Sequence, residues 1–402
     1  MNLRPYQNEA IEFLAARRCA YLGHEMRLGK TPCAILAARK VQARSAIVVC
    51  PAIAVAHWQA EWRKWWPDCG FLPLVVSYDR LRLDAATIFH GFYDVAIVDE
   101  AHFAKNPEAQ RTKLVFGKGG LGWRSHRMWA LSGTPAPKNA AELWPVMFAF
   151  GATSMPYAEF VATFCYSNAD GRILGTKQRQ VPELRQALSK ILLRRTRREV
   201  APEMPEIAFE FLEVAPTSPA DLRLPENCSD ADLLAWLEAQ PAAADDRVAV
   251  ALGKVKPLVE EIVESIRGGL YAQTVVFGWH VEPLEQLAAR LQANRIEARV
   301  LNGATPAAQR AGIQEAFREG RLQVIAANIA AAGTAIDLSA ASHGYFLEMD
   351  WTPGSNAQAA NRLVSMAKKE PVTYDIVTWP GSMDDAVQRV LLRRVKELAK
   401  LY

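Results

Sequence analysis

The stretches HEMRLGKT, His24 to Thr31, and VAIVDEAH, Val95 to His102, decide how this chain folds. Each follows a short apolar run, and the first leads straight into the helix-forming PCAILAARKV, Pro32 to Val41. A strand, a glycine-bearing turn and a helix together make the unit of a parallel α/β sheet, and such sheets hold ligands at the carboxyl ends of their strands. Gly29, Lys30 and Thr31 then stand at a helix N-terminus, where free backbone N–H groups and the positive dipole end attract phosphate. Lys30 adds a mobile cation suited to the outer phosphates of ATP, and Thr31 a hydroxyl suited to Mg2+. Asp99 can hold the magnesium shell through water, while Glu100 can orient and deprotonate an attacking water. Taken singly, GKT is an ordinary helix start and DEAH an ordinary solvated turn. The pair, in this order and each after a strand, points to ATP binding. The spacing departs from a strict GxxxxGK[ST] at one place: His24 stands where glycine is required, and Gly23 lies one residue earlier.

Outward from these loops, β-branched runs alternate with amphipathic segments. AIVVC, LVVSY and VAIVD read as buried parallel strands, with PCAILAARKV and HWQAEWRKWW as crossover helices. From about 138 to 200 the strand signal disappears and helices dominate, among them ELRQALSKILLRR, which reads as a helical insertion on a first lobe spanning 1–205. The stretch 206–250 reads as a connector or small protrusion, rich in Pro, Ala and acidic residues, with one short helix at DADLLAWLEAQ. Alternation resumes over 251–402 with TVVFGW, PLEQLAARLQAN, EARVLNG, QVIAAN, HGYFLEMD and VTYDIV. The expected fold class is α/β, two doubly wound parallel-sheet lobes with a cleft between them.

Composition fits this reading. A chain of 402 residues with 50% hydrophobic content has room for large cores, and a net charge of +4 is too modest for a global field, so any nucleic-acid affinity must come from local clusters. The six cysteines show no CxxC and no ligand spacing with histidine, which predicts buried thiols in a reducing compartment and no zinc site. MNLRPYQNEA lacks a signal-like apolar core, and the longest apolar run, Ala46 to Ala56, is broken by Pro51 and too short to span a bilayer. The expectation is a cytoplasmic protein without a membrane partner. Trp58, Trp62, Trp65 and Trp66 recur at helical spacing and read as a core-facing stripe rather than a base-stacking platform.

LRPYQNEAIEFL, EMRLGKT, VVCPAIAVAHWQAEW, VDEAHFAKN, ALSGTP, LLRRTRREVAPEMP, LNGATPAAQR, AAGTAIDL and DWTPGSNAQAANR follow one another in this chain. In that order they resemble the motifs of Swi/Snf-type DNA-dependent ATPases of helicase superfamily two, and the helical segment is most similar to the branch containing annealing helicases and compact bacterial or phage members. The resemblance implies two RecA-like lobes. It also implies that Gln7 reads adenine and that Ser132, Gly133 and Thr134, with His102 bridging toward them, couple the nucleotide site to lobe movement. A satisfied interior histidine is the plain alternative for His102. On the second lobe it makes Gln358 a nucleotide contact and Arg362 an arginine finger on the γ-phosphate, a group that contributes about 10³–10⁵ in rate. Here the pattern breaks: a second arginine is usual where Ser365 stands, and glycine is usual where Arg27 stands. Arg362 alone, or aided by Lys368 or Lys369, then supports slow or partner-stimulated turnover.

By the same resemblance the nucleic-acid track passes Lys105, Asn106, Asn302, Gly303, Gly333, Thr334 and Trp351. Each of these alone is a commonplace structural residue. The run Arg194, Arg195, Arg197 and Arg198 either lines the duplex or pairs with acidic neighbours between the lobes. The implied activity is ATP-driven translocation on double-stranded or branched DNA, alongside a protein partner in replication, repair, defence or a mobile element. Two competitors stand beside it: a nucleotide-gated DNA-binding subunit with little hydrolysis, and an RNA-directed helicase.

Overall fold

The computed structural model describes residues 3–391, apart from 169–170, 215–241, 333–335 and the single positions 366, 381, 383, 386 and 389. The chain divides into two compact units, the first running to Pro202 and the second beginning at Glu203.

The first unit is built on a parallel sheet of β1 (Cys19–Leu22), β2 (Ala46–Cys50), β3 (Leu74–Ser77), β4 (Tyr93–Asp99), β5 (Ser125–Leu131) and, paired to β1, Leu192–Leu193. Its strand order is β3-β2-β4-β5-β1, followed by the Leu192–Leu193 strand. Both faces are covered, which is why β2 is buried at every position and β4 at its four central residues, with no polar alternation to mark one face. On one face lie helices α1 (Pro5–Ala15), α2 (Lys30–Lys40) and α3 (Val55–Trp65). Trp58 and Trp62, one helical turn apart on α3, are fully buried in that core, and Trp65 and Trp66 pack partly against it, so the tryptophan stripe faces inward as expected.

The stretch 138–200 is not purely helical. Helices Trp144–Ala149, Tyr157–Phe164 and Val181–Leu188 enclose a core of their own around Phe160, Phe164, Leu184 and Leu188. They are interrupted by an antiparallel hairpin, Cys165–Ser167 with Ile173–Thr176. The expected helix through ELRQALSKILLRR stops at Leu188, and Leu192–Leu193 becomes the edge strand beside β1. The correction has a simple cause: pairing with β1 satisfies that backbone, and tertiary pairing overrides local helix propensity.

The second unit carries another parallel six-stranded sheet, in the order Ala298–Leu301, Val324–Asn328, Thr274–Gly278, His343–Phe346, Val372–Thr378, Ile207–Glu213. Its last strand lies in the region expected to be connector, so 207–213 belongs to this sheet instead; Glu206 to Glu213 alternates poorly because the strand is a half-exposed edge. A 26-residue helix, Ala242–Arg267, follows the undescribed 215–241, which contains the expected DADLLAWLEAQ helix. No helix among the described residues is long and apolar enough to cross a membrane.

Candidate active site

Gly29 caps α2 in a left-handed conformation, φ 74° and ψ 44°, which glycine adopts without penalty. A Cβ there would come 2.6 Å from Gln7 Nε2, so the Gln7 carboxamide lies directly against the turn. Gln7 is itself positioned at the start of α1, its Oε1 accepting from Arg4 N at 2.9 Å. Two sequence-distant residues of the expected nucleotide site thus meet.

Lys30 is half-buried, and its Nζ donates to the carbonyls of His24 (2.9 Å) and Glu25 (3.4 Å), folding its ammonium back over its own loop. Burial lowers its proton affinity, while Glu100 and Asp99 raise it. A Cβ on Gly133 would stand 3.3 Å from the same ammonium, so the turn after β5 closes on Lys30 with only glycine's space between.

Asp99 ends β4, and its Oδ2 accepts from Trp58 Nε1 at 2.7 Å. Burial, then the neighbouring Glu100, pushes its carboxyl up to about 6. The helical spacing of the tryptophans signalled core packing only; that Trp58 also orients a site carboxylate depends on α3 crossing the end of β4. Tyr78, unsuspected from sequence, donates to the carbonyls of Asp99 (2.8 Å) and Glu100 (3.2 Å) and fixes this turn. Glu100 takes a left-handed backbone, φ 48°, unusual for a non-glycine residue and of the kind that clusters at functional sites.

His102 Nδ1 lies 2.8 Å from Ser132 Oγ, and Ser132 Oγ lies 3.3 Å from Glu100 Oε2. Thr134 N donates to the same hydroxyl at 3.1 Å. The ends of β4 and β5 are therefore joined through one buried serine. His24 lies at the floor of the loop, fully buried, its ring edge-on to Tyr6. Arg197 N and Nε donate to Glu25 at 2.8 Å each, and Arg195 pairs with Glu9. These two arginines do pair with acidic residues, but with ones of their own unit rather than between lobes, and so brace the first unit.

The described nucleic-acid candidates have internal roles. Lys105 pairs with Glu142 at 2.7 Å, Asn106 accepts from Glu108 N, and Asn302 Oδ1 accepts from Ala304 N and Thr305 N to close a turn. Gly303 has open space around it, and Trp351 covers the buried Arg247 guanidinium at 4.5 Å. Gly333 and Thr334 lie outside the described residues. In the second unit Gln358 is buried on helix Pro353–Ala360, with Arg362 just beyond it, where Arg362 O accepts from Leu338 N. Lys368 Nζ is held by the carbonyls of Ser339 (3.0 Å) and Ala341, which ties up a group expected to assist Arg362. Sequence reading also missed Glu348, buried and accepting from Trp279 N, His280 N and His280 Nδ1.

Residues 71–219 match the SNF2-related domain, and residues 253–366 match the helicase conserved C-terminal domain. The chain thus carries an SNF2-related domain and a helicase conserved C-terminal domain. The first match takes in Asp99, Glu100, His102 and Ser132 to Thr134, and the second takes in Asn302, Trp351, Gln358 and Arg362; Lys30 precedes both. Proteins similar to this chain include the DNA annealing helicase and endonuclease ZRANB3 of Mus musculus, 25% identical, with 98% of this chain and 40% of that protein covered. Another is the SWI/SNF-related matrix-associated actin-dependent regulator of chromatin subfamily A-like protein 1 of Xenopus laevis, 25% identical, with 99% and 44% covered. The chain spans less than half the length of these two relatives. Among solved structures, the Sulfolobus solfataricus SWI2/SNF2 ATPase core in complex with dsDNA aligns at 19% identity and a TM-score of 0.46, covering 100% of this chain and 93% of that one.

The donor set suits Mg2+ as well as phosphate. Asp99 is a half-buried carboxylate beside a second carboxylate, an arrangement a hard divalent cation would relieve, and Thr31 supplies a hydroxyl at the helix start.

Proposed function

We propose that this chain is an ATP-dependent translocase on double-stranded or branched DNA. The observation that carries the reading is the convergence of Lys30, Gly133, and the Glu100–Ser132–His102 triangle at the carboxyl ends of β1, β4 and β5. In this reading Lys30 exchanges the His24 and Glu25 carbonyls for phosphate oxygens, and the α2 N-terminus supports the same charge. Gln7 contacts the adenine edge, with Gln358 a further nucleotide contact. Thr31 and Asp99 hold magnesium, which when bound neutralises phosphate charge. Glu100, oriented by Ser132 and His102, takes the proton of a water that attacks the γ-phosphorus as the bridging P–O bond breaks. Arg362 of the second unit supplies cationic charge to that transition state. Ser132, Gly133 and Thr134 sense the change and pass it on. Lys105, Asn106, Asn302, Gly303, Gly333, Thr334 and Trp351 are proposed contacts of the DNA track; Lys105 would leave Glu142 to make one.

One observation favours a slower variant of this reading. Ser365 stands at the expected second arginine, and Lys368 is anchored to backbone carbonyls, so of the two lysines considered as helpers of Arg362 one is already engaged. A nucleotide-gated DNA-binding subunit with weak hydrolysis is the second reading. ATPase titrations with duplex, forked and single-stranded DNA distinguish the two. Stimulation by duplex or forked DNA that disappears in Lys30→Ala supports the translocase; turnover unchanged in Lys30→Ala removes the site assignment.

A further inference from the structure

At the opposite ends of the same strands, where β1 starts at Cys19 and β5 brings Met128 beside it, the first unit has an open groove of about 440 Å³. Phe116, Met128 and Phe150 form its floor. Trp123 and Phe148 stand on its rim with 63% and 48% of their surface exposed, and with the floor they make one contiguous apolar surface. The charged side chains lining it, Arg18 and Lys118, are both cationic, and no lining residue is acidic. Nothing in the proposed ATP chemistry uses these residues, because that chemistry sits at the carboxyl ends of the strands.

We propose that this groove docks an acidic amphipathic segment of a partner protein, with bulky apolar anchors between Trp123 and Phe148 and carboxylates meeting Arg18 and Lys118. Exposed aromatic residues and methionine around a concave floor are the composition of a protein-binding core, and cations on its margin select an acidic partner. The helix-in-groove mode supplies apolar anchors along one face at this scale. A second copy presenting the same face would set Arg18 and Lys118 against their own equivalents, so a symmetric dimer is opposed by like charge. A polynucleotide track needs a row of phosphate-neutralising cations, whereas this groove is mostly apolar with two.

The test is fluorescence anisotropy on the intact chain with a synthetic labelled peptide of about four helical turns, Leu and Trp on one face and Asp or Glu on the other. A charge-reversed peptide with Lys in place of the acids is the control. Saturable binding in the range of about 1–100 μM is expected for the acidic peptide. Binding should weaken about tenfold or more in Trp123→Ala and in Lys118→Glu. The Lys118→Glu effect should shrink as salt rises, since the charge is exposed. ATPase activity of both variants should equal that of the parent chain, which separates this surface from the nucleotide site. Equal binding of the acidic and reversed peptides, insensitivity to both substitutions, or displacement of the peptide by duplex or single-stranded DNA would overturn the proposal. So would concentration-dependent self-association that Trp123→Ala abolishes, because the occupant would then be another copy of the chain.

Discussion

The Ser132 hydroxyl lies 2.8 Å from His102 Nδ1, joining the turn after β5 to the turn after β4. The same oxygen stands 3.3 Å from Glu100 Oε2 and accepts from Thr134 N, so a displacement of either turn must break or re-form bonds at one buried atom. Ser132→Ala should leave nucleotide affinity within about twofold while lowering ATP turnover roughly tenfold or more, the pattern of lost transition-state positioning. Fluorescent-nucleotide binding and steady-state ATPase assays measure the two. Adding His102→Ala should cost little further, because the residues act as one unit; additive losses would separate them.

Gly29 and Gln7 make the second prediction. Alanine at position 29 meets both the left-handed φ and the Gln7 carboxamide, and should cost about 1–2 kcal/mol in urea unfolding. Gln7→Ala in the Gly29→Ala background should recover the part due to contact but not the part due to backbone strain. Gln7→Ala alone should narrow discrimination between ATP and GTP in competition binding.

Arg27 holds φ 69°, a left-handed conformation costly for a residue with a Cβ. Glycine is normally the less stable of the glycine–alanine pair, yet here Arg27→Gly should be more stable than Arg27→Ala by about 1 kcal/mol. Chemical denaturation of the two variants tests this, and the ordinary ranking would show that the loop relaxes around position 27.

His24 gives a pH signature. Burial, then the nearby Lys30 charge, holds its imidazole down to about 3 from an ordinary 6.5. The unfolded chain therefore takes up this proton below about pH 6.5 while the folded chain does not, so stability is full above that pH and declines as pH falls toward about 3. The decline attributable to this residue is of order 5 kcal/mol at its fullest. Thermal unfolding of the parent and of His24→Phe between about pH 7 and 4.5 should show the smaller loss in the variant; parallel curves would mean that the ring is protonated or solvated in the folded chain.

Much of the architecture was legible because parallel strands buried on both faces leave continuous apolar runs. β2 and β4 are such runs; the carboxylate pair follows β4, and the glycine turn follows the shorter apolar run of β1. The Leu192–Leu193 and Ile207–Glu213 strands were illegible for the opposite reason. One is two residues long inside a helical-looking segment, the other a half-exposed edge, and both exist because a neighbouring strand offers them hydrogen bonds.

The sequence by itself determined two α/β units and the residue types at the candidate site, since a glycine turn, a lysine and a carboxylate pair are local chemistry that needs only a strand before it. Only the tertiary structure decided which groups those residues face. Trp58 on Asp99, Tyr78 on the Asp99–Glu100 carbonyls, Gln7 against Gly29, and Arg197 on Glu25 are contacts between segments far apart in the chain. Their partners are fixed by how helices cross strand ends, a property of packing that no local pattern of residues encodes.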